Sequence, residues 1–317
     1  MGNCSVYLNN NFLGNTDRVS TRMKKKYFTI PDNLVNKNME IKMDCLTSSS
    51  KGYYYATVTL IPQLEDIYLT IIAAPNAIPY REYKGKKSGY SNYQALDQIV
   101  YADLFDDLTP DIYTGRIQGI TMSDVSAYVS RDLFYDQISR TNNIIFMAKS
   151  FNSMVDSAKI RSKIFEEAGY NVKCHAELET TFKGDEWKNN HLVSYQDHGG
   201  SSYAGISYSS IPDLNNSIIF NDACLTCSTY NKYSFCNTAI RKGAIAHLGA
   251  VCVAWTGNNI YRLTMNGIYY ENKTLGKAFK EAYCNYGFYN SRWMTTLFSD
   301  PTLNINPSHI LKEPLIK

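Results

Sequence analysis

Apolar positions along the chain follow two regimes. Over residues 1–60 they recur with period two. Residues 6–14 read as two strand pieces around an Asn-rich turn, 26–30 stop at Pro31-Asp32, 39–45 alternate apolar and polar, and 53–60 are β-rich. No helical period interrupts them, so a small all-β unit is expected over 1–60. With so little apolar content it is marginal alone and is expected to lean on the larger domain after it, as the end of a sandwich begun in missing sequence.

From residue 61 the pattern becomes apolar runs alternating with helical stripes. Strands are expected at 67–74, 144–148, 172–176, 191–196, 217–222 and 250–254. Helices are expected from Ser123-Asp124, with Val125, Tyr128, Val129 and Leu133 on one face, and from Ser153 with Asp156 as a capping box, ending at Gly169. A third stripe, Ile240, Ala244 and Leu248, stops at Gly249; a fourth is Leu275, Ala278, Phe279 and Ala282. Residues 80–93 read as a polar loop and 306–317 as a loose, Pro-bearing tail. This alternation implies an α/β domain over 61–305, a mostly parallel sheet with helices on both faces.

Two of the strands end on reactive residues. One runs His191-Leu-Val-Ser-Tyr-Gln-Asp197-His198-Gly199-Gly200, the other Ser217-Ile-Ile-Phe-Asn-Asp222-Ala223-Cys224. In open α/β sheets the ligand crevice lies beyond the carboxyl ends of the strands, which delivers His198 and Cys224 to one place. A thiol attacks as thiolate, and an imidazole titrating near neutrality serves as its base or charge partner. Backbone N–H groups of Gly199 and Cys224 can hold a developing oxyanion. Together these parts suffice for acyl transfer through a cysteine.

The combination of Tyr195, His198-Gly199 and Ala223-Cys224 resembles the catalytic core of the gingipain family of caspase-like cysteine peptidases. Pro110-Asp111-Ile-Tyr-Thr-Gly115-Arg116-Ile117, the run 250–254 and Phe298-Ser-Asp-Pro-Thr-Leu303 resemble further family segments, in order, across roughly 67–305. The resemblance implies a cysteine endopeptidase with a His198–Cys224 dyad, an acyl-enzyme, polypeptide substrates and no required cofactor. It also implies a structural calcium ion. The candidate is the acidic stretch with Asp97, Asp103, Asp106, Asp107 and Asp111, whose spacing matches no calcium loop; the other reading is a solvated loop with Asp111 or Asp107 pairing Arg116. Where the family has a histidine-orienting carboxylate, this chain has Ser150. Where basic-specific members carry a pocket aspartate, it has Met154 with Asp156 nearby. Trp255 and Tyr261 are candidate pocket walls, or plain surface aromatics. The alternative function is a peptidase-like domain that no longer cleaves and serves in binding or display.

Composition narrows the classes further. A chain of 317 residues, 44% hydrophobic, has ample core for one large or two smaller domains. With 32 basic and 29 acidic side chains it offers no electrostatic basis for nucleic acid, and Lys24-Lys25-Lys26 reads as a solvated face. No apolar run approaches the ~18 residues that span a bilayer, and the start lacks a secretory hydrophobic segment. Met1-Gly2-Asn3-Cys4-Ser5 is similar to an acylated start, but Val6 occupies the hydroxyl position, so a piece of a longer precursor is the preferred reading. Sequons at Asn3, Asn215 and Asn272 and 26 tyrosines fit a secreted or cell-surface protein. Of eight cysteines, assigning Cys224 to catalysis leaves an odd seven. Cys224-Leu-Thr-Cys227 admits a redox dithiol, half a zinc site completed by Cys236, or a Cys227 that is a packed thiol or disulfide partner. Cys252 reads as core, and His175, His191, His247 and His309 as structural.

Overall fold

The computed structural model describes residues 4–8, 11–15, 41–45, 66–74, 77–78, 81–87, 90–97, 101–104, 109–178, 180–200, 202–203, 206–227, 233–251, 259–285 and 295–315. The chain divides into two compact units, 1–63 and 64–317.

In the first unit, β1 (Cys4–Leu8), β2 (Asn11–Asn15) and β3 (Ile41–Cys45) form an antiparallel sheet in the order β2-β1-β3. Cys4 and Cys45 occupy paired register positions. The expected strands at 26–30 and 53–60 lie outside the described residues.

The second unit begins with β4 (Tyr68–Ala73), β5 (Arg81–Lys87), β6 (Tyr90–Asp97) and β7 (Tyr113–Gln118). There follow α1 (Met122–Leu133), β8 (Asn143–Ala148), α2 (Asn152–Ala168), β9 (Asn171–Ala176) and β10 (Leu192–Gln196). Then come β11 (Ser202–Tyr203), β12 (Ile206–Ser207), β13 (Ile218–Asp222), α3 (Phe235–Arg241) and β14 (Ala246–Ala250). The last elements are α4 (Asn259–Tyr269), α5 (Leu275–Asn285) and β15 (Thr295–Phe298). Six strands form one sheet in the order β15-β14-β13-β10-β8-β9, parallel except for β15 at the edge. β4 and β7 form a separate parallel pair.

Every residue of β10, β13 and β14 is buried, as expected of strands covered on both faces. On one face the Phe165 ring of α2 meets Phe146 of β8 at 5.4 Å and Tyr269 of α4 at 5.0 Å. On the other, the Tyr128 hydroxyl of α1 donates to the Ile245 carbonyl, and Arg131 donates to the Ile240 carbonyl of α3.

Several local expectations are corrected. α1 starts one turn position earlier than expected: Thr121 is its N-cap and Asp124 closes a capping box. Leu133, assigned to its buried face, is 72% exposed. α2 has no side-chain cap; Phe151 stands at its N-cap position, though Gly169 does end it in the left-handed conformation. Within the expected polar loop at 80–93, residues 81–87 and 90–93 are instead strand, paired antiparallel as β5 and β6. The Ile240–Leu248 stripe is not one helix: α3 ends at Arg241, Gly243 turns the chain at φ 103°, and Leu248 and Gly249 belong to β14. The expected strand at 250–254 therefore lies four residues too late. The tail is anchored rather than loose: Leu311 and Leu315 are buried, Leu311 N donates to the Tyr269 carbonyl, and the Tyr170 hydroxyl donates to the His309 carbonyl.

Candidate active site

β10 and β13 are neighbours and run in register from Leu192↔Ile218 to Gln196↔Asp222. Beyond the ladder, Asp197 N still donates to the Asp222 carbonyl at 3.3 Å. Continuing that register sets His198 beside Cys224. Close approach of the two backbones supports the same neighbourhood. A methyl added at Gly199 would stand 2.3 Å from the Cys224 carbonyl oxygen and 2.8 Å from both Cys224 N and Ala223 Cβ. Only a glycine lets the chain after His198 pass this near the segment carrying Cys224. His198 is exposed and Cys224 half-buried, so solvent reaches both.

The side chains two residues earlier identify the face. Gln196 Nε2 donates to Asp222 Oδ2 at 3.1 Å, and buried Arg161 of α2 donates to Gln196 Oε1. Strand alternation carries His198 and Cys224 toward that same α2 face. The ring contact agrees: Phe151, just before α2, tilts against the His198 ring at 5.0 Å between centroids. Arg161 lies over the Phe146 ring; burial pulls its guanidinium down to about 10, opposed by Asp222, so it stays charged at neutral pH. This charged cross-link below the strand ends was missed from sequence. The signal was present: an arginine on the helix face shared by Met154, Ala158 and Phe165.

Asp197 points away from the pair and is fully buried. Its Oδ2 accepts from Lys149 N at 2.8 Å and Ser150 N at 2.6 Å, and its Oδ1 from His198 N at 2.5 Å. The carboxylate thus ties the end of β8 to the His198 turn through three charge-assisted hydrogen bonds. The Tyr195 hydroxyl donates to the His198 carbonyl at 3.1 Å, adding a second tether. At the position of the family's orienting carboxylate, Ser150 contributes its backbone N–H to Asp197, and Phe151 supplies the ring against His198.

The turn carrying Cys224 is strained and held. Leu225 has φ 58°, in the left-handed region that a side chain of this size rarely adopts. Cys227 forms a disulfide with Cys236 at the start of α3, and its N–H donates to the Ala250 carbonyl at 2.8 Å. The pairing resolves the Cys-x-x-Cys alternatives for the oxidised chain: Cys224 and Cys227 are not a dithiol couple, and Cys224 stands outside the disulfide.

Of the candidate pocket residues, Met154 and Tyr261 are each 2% exposed and pack in the core, while Asp156 faces solvent. Trp255 and Cys252 lie outside the described residues, as do Asp106 and Asp107. Asp111 Oδ2 accepts from Leu104 N at 2.8 Å, and Arg116 donates to the Ile78 carbonyl. Among the described residues no helix is long and apolar enough to cross a membrane.

The sequence matches the profile of peptidase family C25 over residues 50–306. The fold is similar to a crystal structure of the Arg-specific cysteine proteinase gingipain R, with TM-score 0.62 and 16% identity over 79% of this chain and 65% of that one. It is also similar to a complex of the pro- and mature domains of RgpB from Porphyromonas gingivalis, with TM-score 0.60 and 16% identity over 75% of this chain and 65% of that one. At such identity the likeness is one of fold, and it bears out the caspase-like mostly parallel sheet. The chain spans just under two thirds of the length of either structure. No protein with a curated description matches the sequence significantly.

Proposed function

The chain belongs to peptidase family C25, and on that premise we propose that it hydrolyses peptide bonds as a cysteine endopeptidase with Cys224 as nucleophile and His198 as its acid–base partner. The thiolate adds to the scissile carbonyl, and the developing oxyanion takes hydrogen bonds from the Gly199 and Cys224 amides. His198 gives a proton to the leaving amine, which departs to leave a thioester acyl-enzyme; it then takes a proton from water, whose attack breaks the C–S bond, releases the acid and restores the thiolate beside a protonated His198. The observation that supports this reading is the close approach of Gly199 to Ala223 and Cys224, where an added methyl would stand 2.3 Å from the Cys224 carbonyl oxygen.

Polypeptides are the substrate class. The disulfide and the exposed sequons Asn215 and Asn272 support a secreted or cell-surface setting. A second reading, a peptidase-like binding protein, draws on Ser150 standing where the family has a carboxylate that orients the histidine. Incubating the purified chain with a mixed peptide library separates them. Cleavage that disappears in both Cys224→Ala and His198→Ala supports the peptidase; intact peptides with the wild-type chain support the binding protein.

A further inference from the structure

The turn that carries Cys224 on one face of the sheet leads into a second cluster on the other. Cys227 closes that turn, Cys236 begins α3, and His247 sits in β14; their ligand atoms all lie within 4.8 Å of one another. All three residues are fully buried. The disulfide between the two cysteines leaves two features unexplained. First, His247 Nδ1 finds no hydrogen-bond partner among the described residues, while its Nε2 meets Asn221 Nδ2 at 3.1 Å. Second, β14 carries Gly249 in the middle of a buried sheet, where a glycine weakens a strand. A methyl there would stand 2.6 Å from Cys227 Sγ, 2.7 Å from Thr226 Oγ1 and 3.5 Å from His247 Nε2. The glycine keeps a space in which sulfur, hydroxyl and imidazole converge.

We propose that Cys227, Cys236 and His247 form a redox-gated site for a divalent cation of borderline softness, zinc above all: the oxidised chain holds the disulfide, the reduced chain the metal. The exchange balances. An external dithiol passes two electrons and two protons to the disulfide and becomes a disulfide itself; the cation then displaces the two thiol protons. Thiolate sulfur and imidazole nitrogen are the donors zinc selects. Two thiolates, a neutral imidazole and a divalent cation sum to zero charge, the ionic state that a dry interior accepts at least cost.

The test uses the full chain with Cys224→Ala and with Cys4, Cys45, Cys174, Cys252 and Cys284 replaced by Ser, so that Cys227 and Cys236 are the only thiols left to bind metal. The protein is stripped with a chelator, prepared either oxidised or reduced with a phosphine, and titrated with cobalt(II). Bound metal is counted after desalting. The reduced chain is expected to take about one cobalt with thiolate-to-metal charge-transfer absorption, and the oxidised chain none. His247→Gln in the reduced chain is expected to weaken binding at least 100-fold. Failure of the reduced chain to bind, equal binding with the disulfide intact, or undiminished binding by a folded His247→Gln protein overturns the proposal. The oxidised–reduced comparison uses one polypeptide and decides the matter even if that variant does not fold.

Discussion

Replacing Asp197 by Asn isolates the anchor of the His198 turn. The carboxylate accepts three backbone N–H groups at 2.8, 2.6 and 2.5 Å inside a fully buried site. An amide of the same shape has one accepting oxygen and one NH₂ group. With the oxygen toward Lys149 and Ser150, two charge-assisted bonds become neutral ones, losing about 1 kcal/mol each, and His198 N faces a donor, costing about 1–3 kcal/mol more. The reverse orientation is worse, because two N–H groups then face the donor. The expected loss is therefore about 3–5 kcal/mol, read as a lower urea midpoint with unchanged m. Activity on a peptide substrate is expected to fall about 100-fold in the surviving folded protein, since a displacement near 1 Å of a catalytic group has that effect. A variant within 1 kcal/mol of wild type and fully active would show that Asp197 does not hold the turn.

Gly199→Ala places a methyl 2.3 Å from a backbone carbonyl, so it is expected to push the His198 and Cys224 segments apart and cut kcat/KM by at least 100-fold; wild-type kinetics would refute the close approach. Burial, aided by Asp300, lifts the Asp132 carboxyl to about 7. Its stabilising contribution is thus complete below about pH 4 and is lost as pH rises through about 7. Asp132→Asn should therefore gain on wild type between pH 5 and pH 8, on the order of 1–2 kcal/mol after solvent screening, and a flat difference in melting free energy would contradict this. Burial pulls His191 down to about 4, so its contribution is present above about pH 6.5 and lost as pH falls through about 4; His191→Asn should flatten that acid limb of the stability curve.

The central strands and their polar ends were legible because buried parallel strands leave short apolar runs with sharp polar ends, as at Asp197-His198 and Asp222-Ala223-Cys224. The same property produced the largest misreading. Every residue of β14 is buried, so it shows no alternation, and Leu248 joined Ile240 and Ala244 in a false helical stripe. That error put His247 near a helix end instead of deep in the sheet. The hairpin β5–β6 was hidden by its glycines and lysines, which imitate loop composition. Asp197 and Arg161 acquire their roles only through partners 48 and 35 residues away, at Lys149 and Gln196, and no local pattern reports such contacts. The disulfide is likewise tertiary: Cys236 meets Cys227 because α3 starts beneath the turn.

The most direct test maps the site of covalent capture. The purified chain is treated with a peptide bearing an acylating or alkylating electrophile, digested, and the adduct located by mass spectrometry, with His198→Ala in parallel. A single adduct at Cys224, formed far more slowly in His198→Ala, is the predicted result. An adduct confined to Cys174 or Cys284, or a Cys224 adduct whose rate ignores His198, would contradict the pairing on which the account stands.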